Sequence, residues 1–135
     1  MESWRLVWQG GFALVLPTAG LEALRDALRA DDLRLAQQCT TTPPPLMCVQ
    51  DWPVEAACPV AFCGWQGDGL NLVGKVEEFF ARMCFEADQL LNAEPAACRF
   101  FLDWWDDTPR AEAIRLLLPE VERAIAARDP QPQAA

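Results

Sequence analysis

Six cysteines give this chain its widest choice of side-chain chemistry. They are Cys39, Cys48, Cys58, Cys63, Cys84 and Cys98. Cys58 and Cys63 have four residues between them, which is the outer limit of the ligand spacing common in zinc sites. The sequence offers no second close pair of cysteines and no histidine to complete such a site. We therefore expect reduced thiols that serve as small hydrophobic side chains, and no metal or other cofactor. A structural metal bound by Cys58 and Cys63 is the alternative.

The side chains that usually carry out acid–base and nucleophilic catalysis are scarce. A cysteine or serine nucleophile commonly relies on a nearby histidine as its base. The chain has no histidine and no tyrosine, and Ser3 is its one serine. Acid–base chemistry would have to use carboxylates alone. We therefore expect a protein without catalytic activity, and a small metal-dependent or cysteine-dependent enzyme is the less favoured alternative.

Three aspartates form the densest group of carboxylates. On one continuous helix Asp103, Asp106 and Asp107 would stand at positions i, i+3 and i+4 and share a face, where they could bind a divalent cation. Asp106 and Asp107 also come directly before Thr108 and Pro109, where a new helix is expected to begin. Acidic side chains stabilise a helix N-terminus, and we favour that explanation.

Bulky aromatic residues beside these aspartates suggest a surface that docks a partner. Neighbouring residues of a helix point about 100° apart, so burying both Trp104 and Trp105 in a small domain is difficult. Tryptophan is enriched at interface hot spots, and interfaces combine an apolar centre with a polar rim. The predicted partner-binding residues are Trp104, Trp105, Asp103, Asp106 and Asp107, with Glu77 and Glu78 as exposed residues of an earlier helix. Burial of the tryptophans in the core is the alternative.

Acidity is concentrated in the middle of the chain. The net charge is −9, and residues 44–109 contribute eleven acidic and three basic side chains, or −8 of that total. Such a field repels nucleic acid and anionic membranes and favours a basic protein partner. By analogy with small acidic inhibitors, we expect a protein-binding module of the immunity-protein or antitoxin type. A structural subunit of a larger complex is the alternative.

The location of the protein is predicted from the same composition. No apolar stretch reaches the length of about 20 residues that spans a bilayer, and the first residues do not resemble a secretory signal. Arginine outnumbers lysine ten to one, a bias typical of GC-rich bacterial genomes. We therefore expect a bacterial, cytoplasmic protein.

The N-terminal half of the sequence predicts short strands. Trp4, Leu6 and Trp8 alternate with more polar residues, Gly10 and Gly11 favour a two-residue turn, and residues 12–16 would return as the second strand of a hairpin. A helix follows from Thr18. Two further short strands are predicted at 46–50 and 57–63, with Pro59 placing the second at a sheet edge.

The C-terminal half predicts helices. Apolar residues at helical spacing indicate a helix at about 72–91, a second running from Pro95 to about Trp105, and a third beginning at Thr108 with a kink or break at Pro119. The predicted fold class is α+β: about four short strands in the order ββα then ββ, in a small antiparallel sheet packed against C-terminal helices. Residues 1–128 are predicted to form a single domain, followed by a disordered tail at 129–135.

Overall fold

Helices dominate this protein. The computed structural model describes residues 1–42, 50–92 and 97–128. The helices are α1 (3–15), α2 (Thr18–Ala30), α3 (59–67), α4 (Val73–Leu90), α5 (Arg99–Asp107) and α6 (Arg110–Arg128). In the described ranges the sheet consists of two strands, β1 (Thr41–Thr42) and β2 (Ala56–Ala57), which pair antiparallel. The prediction of an α+β fold with about four strands is therefore wrong.

The predicted N-terminal hairpin is a single helix, α1, with a π-helical turn at Trp8–Phe12. Trp4, Trp8 and Phe12 are buried because they are spaced four residues apart, which is one face of a helix. Leu6, which the strand interpretation placed beside Trp4 and Trp8, is instead 51% exposed. The alternating pattern was misleading because residues i and i+4 share a face in both a strand and a helix.

The glycine pair in α1 allows close packing between helices. Gly10 and Gly11 lie in the π-helical turn rather than in a hairpin turn. A Cβ atom added to Gly11 would stand 3.0 Å from the Cβ atom of Ala87 in α4. The missing side chain therefore lets α1 approach α4 where Ala87 is fully buried.

The strand predicted at 57–63 is also wrong, because α3 begins there. Cys58 precedes the helix, and its Sγ atom accepts a hydrogen bond from the backbone N–H of Ala61 at 3.5 Å. Pro59 is the first helical residue, a position where its missing N–H and fixed φ suit a helix. The helix continues through a second π-helical turn at Cys63–Gly67.

The remaining helices follow the sequence pattern closely. The helix predicted at about 72–91 is confirmed as α4, and α6 passes through Pro119 without a break. The predictions for residues 46–49, for Pro95 and for the tail at 129–135 lie outside the described residues. Within the described ranges, no helix is both long and apolar enough to cross a membrane.

One carboxylate is buried between α1 and α6. The side chain of Glu120 is 3% exposed, and both of its oxygens accept hydrogen bonds from the amide nitrogen of Gln9, at 2.9 and 3.0 Å. The guanidinium of Arg123 also donates to both oxygens, and Trp8 donates its indole N–H to the Glu120 carbonyl at 3.4 Å. These bonds replace the water that burial removes from the charged group.

Replacing Gly67 by alanine is expected to lower the free energy of unfolding by about 1–3 kcal/mol. The added Cβ atom would press into the backbone of α2, with the Gly20 nitrogen 2.5 Å away. Gly10→Ala is the control, since its Cβ atom meets the flexible end of Leu91 at 2.9 Å. Chemical denaturation measures both variants, and an equal loss of stability in the two would contradict this packing.

Replacing Glu120 by alanine is expected to destabilise the fold by about 1–3 kcal/mol. The Gln9 amide would lose its hydrogen-bond acceptor, and the missing side chain would leave a cavity. Glu120→Gln keeps the shape and two polar atoms, so this variant should lose less stability than the alanine variant. Urea denaturation at neutral pH tests the order of the two variants. A glutamine variant that is less stable than the alanine variant would show that Gln9 does not depend on this side chain.

Candidate functional site

Helix α5 positions most of the predicted partner-binding residues, and its inner face packs on α1. Phe101 and Trp105 have no exposed surface, and the Phe101 ring lies 5.3 Å from the ring of Trp8. Trp105 also donates its indole N–H to the carbonyl oxygen of Ala36 at 2.8 Å. Trp105 is therefore a core residue and has no free surface to present to a partner.

Trp104 is half-buried and stacks on α1. Its ring lies 3.8 Å from the ring of Trp4, centroid to centroid, and the two planes differ by 7°. Contacts between aromatic rings add roughly 0.5–1.5 kcal/mol beyond the burial of apolar area. The two tryptophans of α5 thus both contribute to packing, and Trp4 is the partner that the sequence pattern did not reveal.

Asp106 holds a neighbouring segment in place. Its Oδ1 atom accepts a hydrogen bond from the backbone N–H of Gln38 at 2.8 Å, and its carbonyl oxygen accepts one from the Gln38 side chain at 2.6 Å. Gln38 has a positive φ of 70°, a conformation that most side chains disfavour. Asp106 therefore stabilises this turn against α5, which is a structural role.

The outer face of α5 combines an aromatic side chain with two carboxylates. Phe100 is 60% exposed, and Asp103 and Asp107 follow it at i+3 and i+7, on the same side of the helix. Asp103 forms an exposed ion pair with Arg99 at 3.7 Å. We call Phe100, Asp103 and Asp107 the docking face. Its i, i+3, i+7 spacing is visible in the sequence, but the sequence prediction named the neighbouring tryptophans and not Phe100.

Glu77 and Glu78 lie on a different helix, α4, where both are exposed. Thr41 donates a hydrogen bond to Glu77 at 3.4 Å, and Glu78 pairs with Lys75 at 3.8 Å. A cavity separates α4 from α5, and α4 contributes Phe80 and Cys84 to its wall. The structure therefore does not bring Glu77 or Glu78 into the docking face.

The cavity between α4 and α5 has a volume of about 450 Å³, and four cysteines of the described ranges line it. They are Cys39, Cys58, Cys84 and Cys98. Arg99, Asp103 and Asp106 add charged groups to the same wall. Yet among the described residues no three cysteine, histidine or acidic side chains are placed to hold a metal ion.

Cys58 and Cys63, the predicted metal-site candidates, are both buried and bonded to their own helix. Besides the capping bond of Cys58, the Cys63 thiol donates to the carbonyl oxygen of Pro59 at 3.3 Å. Burial raises the pKa of Cys58 to about 12, and burial also raises the pKa of Cys63. Both side chains are therefore neutral thiols that contribute to packing in α3.

Cys84 and Cys98 form a pair that the sequence did not indicate, because thirteen residues separate them, with Cys84 on α4 and Cys98 directly before α5. The Cys84 and Cys98 side chains interact, which raises the pKa of Cys84 and lowers the pKa of Cys98 below the ordinary value of 9.0. Arg99 favours the Cys98 thiolate, whereas burial and the Asp88 carboxylate oppose it. Cys98 is thus the more readily ionised of the two.

No protein-family model, curated protein or solved structure matches this chain. The function must therefore be argued from the docking face and from the cysteine-lined cavity.

In the folded protein, Cys58 and Cys63 are expected to resist alkylation, since burial keeps both sulfurs protonated and inaccessible. A brief pulse of iodoacetamide at pH 8, followed by peptide mass spectrometry, measures the modified fraction of each cysteine. The same pulse in denaturant should label both and serves as the control. Rapid labelling of either residue in the native protein would contradict the packing of α3.

Proposed function

We propose that this protein is a binding module without catalytic activity that docks a basic protein partner on the outer face of α5. The observation that carries this proposal is the exposure of Phe100 on the same side of α5 as Asp103 and Asp107. Phe101 and Trp104 already supply the contact with α1, so the exposure of Phe100 does not serve the packing of α5.

The composition of the docking face fits an interface. A phenyl ring provides a rigid apolar anchor, and removing it from water on binding is favourable by roughly 1.5–3 kcal/mol. Charged groups at the edge of an interface contribute to the rate and the specificity of association. Asp103 and Asp107 occupy that edge position relative to Phe100.

The charge of the surrounding surface selects a basic partner. Helix α5 has three aspartates and one arginine, a net charge of −2. Within the described ranges, several carboxylates outside the pairs noted above form no ion pair: Asp51, Glu55, Asp68, Glu77, Glu86 and Asp107. Uncompensated negative charge of this kind accelerates association with a positive surface and repels nucleic acid.

We propose that this binding module is an inhibitor. It would cover a basic functional surface of its target, as immunity proteins and antitoxins do. We place it in the bacterial cytoplasm, where free thiols remain reduced. The partner is a basic protein, for which nucleic-acid-binding proteins are natural candidates because they share its charge. These assignments rest on charge and composition.

Site-specific photo-crosslinking tests the docking face. A benzophenone amino acid placed at Phe100 is expected to capture a basic protein from an extract of the native host, whereas the same group at Leu33 should not. Leu33 is a suitable control because it is 80% exposed and lies outside α5. Capture of the same protein from both positions, or of an acidic protein from Phe100, would contradict the proposal.

Binding measurements on the captured partner then test the chemistry. Phe100→Ala should weaken binding about tenfold, which corresponds to roughly 1.4 kcal/mol. Asp103→Lys combined with Asp107→Lys should weaken it at least as much and reduce its dependence on salt. The matched control is Glu22→Lys with Asp26→Lys, two exposed acids at the same i, i+4 spacing on α2. If the α5 and α2 charge reversals have equal effects, only net charge matters and the docking face is not the site.

A further inference from the structure

The cavity between α4 and α5 gives a small reactant access to thiols that are otherwise shielded. Its volume of about 450 Å³ is large enough for several water molecules, each of which occupies about 30 Å³ in the liquid. Cys98 is only 7% exposed, yet it lines this space together with Cys84. A reactant of the size of a hydroperoxide therefore has room beside both sulfurs.

The backbone holds Cys98 next to Cys84. Asp88 stands one turn after Cys84 on α4, so the two side chains share a helix face. The Oδ1 atom of Asp88 accepts a hydrogen bond from the backbone N–H of Cys98 at 2.8 Å. This bond anchors the start of α5 against the face of α4 that presents Cys84, independently of any attraction between the thiols.

The other two cysteines of the cavity are less suited to react. Cys58 uses its sulfur to cap α3, and burial raises its pKa to about 12. Burial and the nearby Asp106 carboxylate raise the pKa of Cys39, which disfavours its thiolate. Cys84 and Cys98 are thus the pair suited to react: the pKa of Cys98 is lowered, and Cys84 lines the same cavity.

We propose that Cys84 and Cys98 form a redox-active dithiol that a hydroperoxide oxidises to an intramolecular disulfide. Cys98 is the attacking residue and Cys84 the resolving residue. The reaction needs neither Phe100 nor the partner proposed above, although Asp103 of the docking face also lines the cavity.

The reaction proceeds in two balanced steps. The Cys98 thiolate attacks one oxygen of the hydroperoxide, the O–O bond breaks, and the alcohol or water leaves after taking up a proton. Cys98 becomes a sulfenic acid, and the peroxide is reduced by two electrons. The Cys84 sulfur then attacks the Cys98 sulfur, the S–O bond breaks, and water leaves with the thiol proton as the disulfide forms. A dithiol reductant reverses the change by thiol–disulfide exchange.

Peptide mapping of the full, unmodified chain tests the proposal directly. Trypsin releases residues 83–99, which contain Cys84 and Cys98, separately from residues 35–75, which contain the other four cysteines. After stoichiometric hydrogen peroxide and alkylation of the remaining thiols, the 83–99 peptide should be two hydrogens lighter and unalkylated. Dithiothreitol should restore both thiols. The 35–75 peptide should remain reduced.

Single variants separate the two roles. Cys84→Ser should stop the reaction at a sulfenic acid on Cys98, which dimedone traps. Cys98→Ser should leave Cys84 reduced. Cys39→Ser is the matched control, because it alters the same cavity and should still form the bridge. In the wild-type protein at neutral pH, iodoacetamide should label Cys98 faster than Cys39, because the pKa of Cys98 is lowered and that of Cys39 is raised.

Several results would overturn the proposal. One is a disulfide that links residue 39, 48, 58 or 63 to Cys84 or Cys98. Another is equal oxidation of all six cysteines. The third is a Cys98 that stays reduced in the native protein although it reacts in the denatured chain. The map of the wild-type protein is decisive by itself if a serine variant does not fold, and circular dichroism identifies such a variant.

Discussion

The aromatic contact between α1 and α5 is the interaction on which the rest of the structure depends. The Phe101 ring lies within 6.5 Å of the rings of Trp4, Trp8 and Phe12, so one side chain joins three turns of α1. Trp104 adds to this contact by stacking on Trp4, and Trp105 bonds to the Ala36 carbonyl from the same helix. Once these residues face inward, the geometry of a helix places Phe100, Asp103 and Asp107 outward. The core therefore determines which residues α5 presents to a partner.

The same contact explains how the fold differs from the sequence prediction. Over residues 4–8 the apolar pattern fits both a strand and a helix, and only packing against α5 distinguishes them, because Trp4 and Trp8 are buried while Leu6 is exposed. The glycine pair favours a turn when considered locally, yet here it provides clearance for Ala87. Pro59 was interpreted as a sheet-edge residue, although a proline after a capping residue is equally typical of the first turn of a helix. Long periodic segments such as α4 were predictable because no competing pattern fits them.

The candidate sites were predictable to different degrees. The sequence located the acidic segment, but it predicted a helix that ends near Trp105 and favoured Asp106 and Asp107 as acids before the next helix, whereas α5 runs to Asp107. It could not assign Asp106 to the turn at Gln38, because that hydrogen bond joins residues 68 positions apart. The pairing of Cys84 with Cys98 was equally hidden, since it depends on the hydrogen bond from Cys98 to Asp88 across two helices. Local patterns predict which residues share a face, whereas contacts between elements require the fold.

The stacked indoles of Trp4 and Trp104 also give the protein an optical property. Two rings that lie nearly parallel at 3.8 Å have electronic transitions that couple strongly. With no tyrosine in the chain, this coupling stands out from fewer competing aromatic signals. The circular dichroism that arises from this coupling depends on the distance between the rings and on the angle between their transition dipoles, and therefore on how α1 packs on α5. This signal would report on the packing of α1 against α5, the helix that carries the docking face.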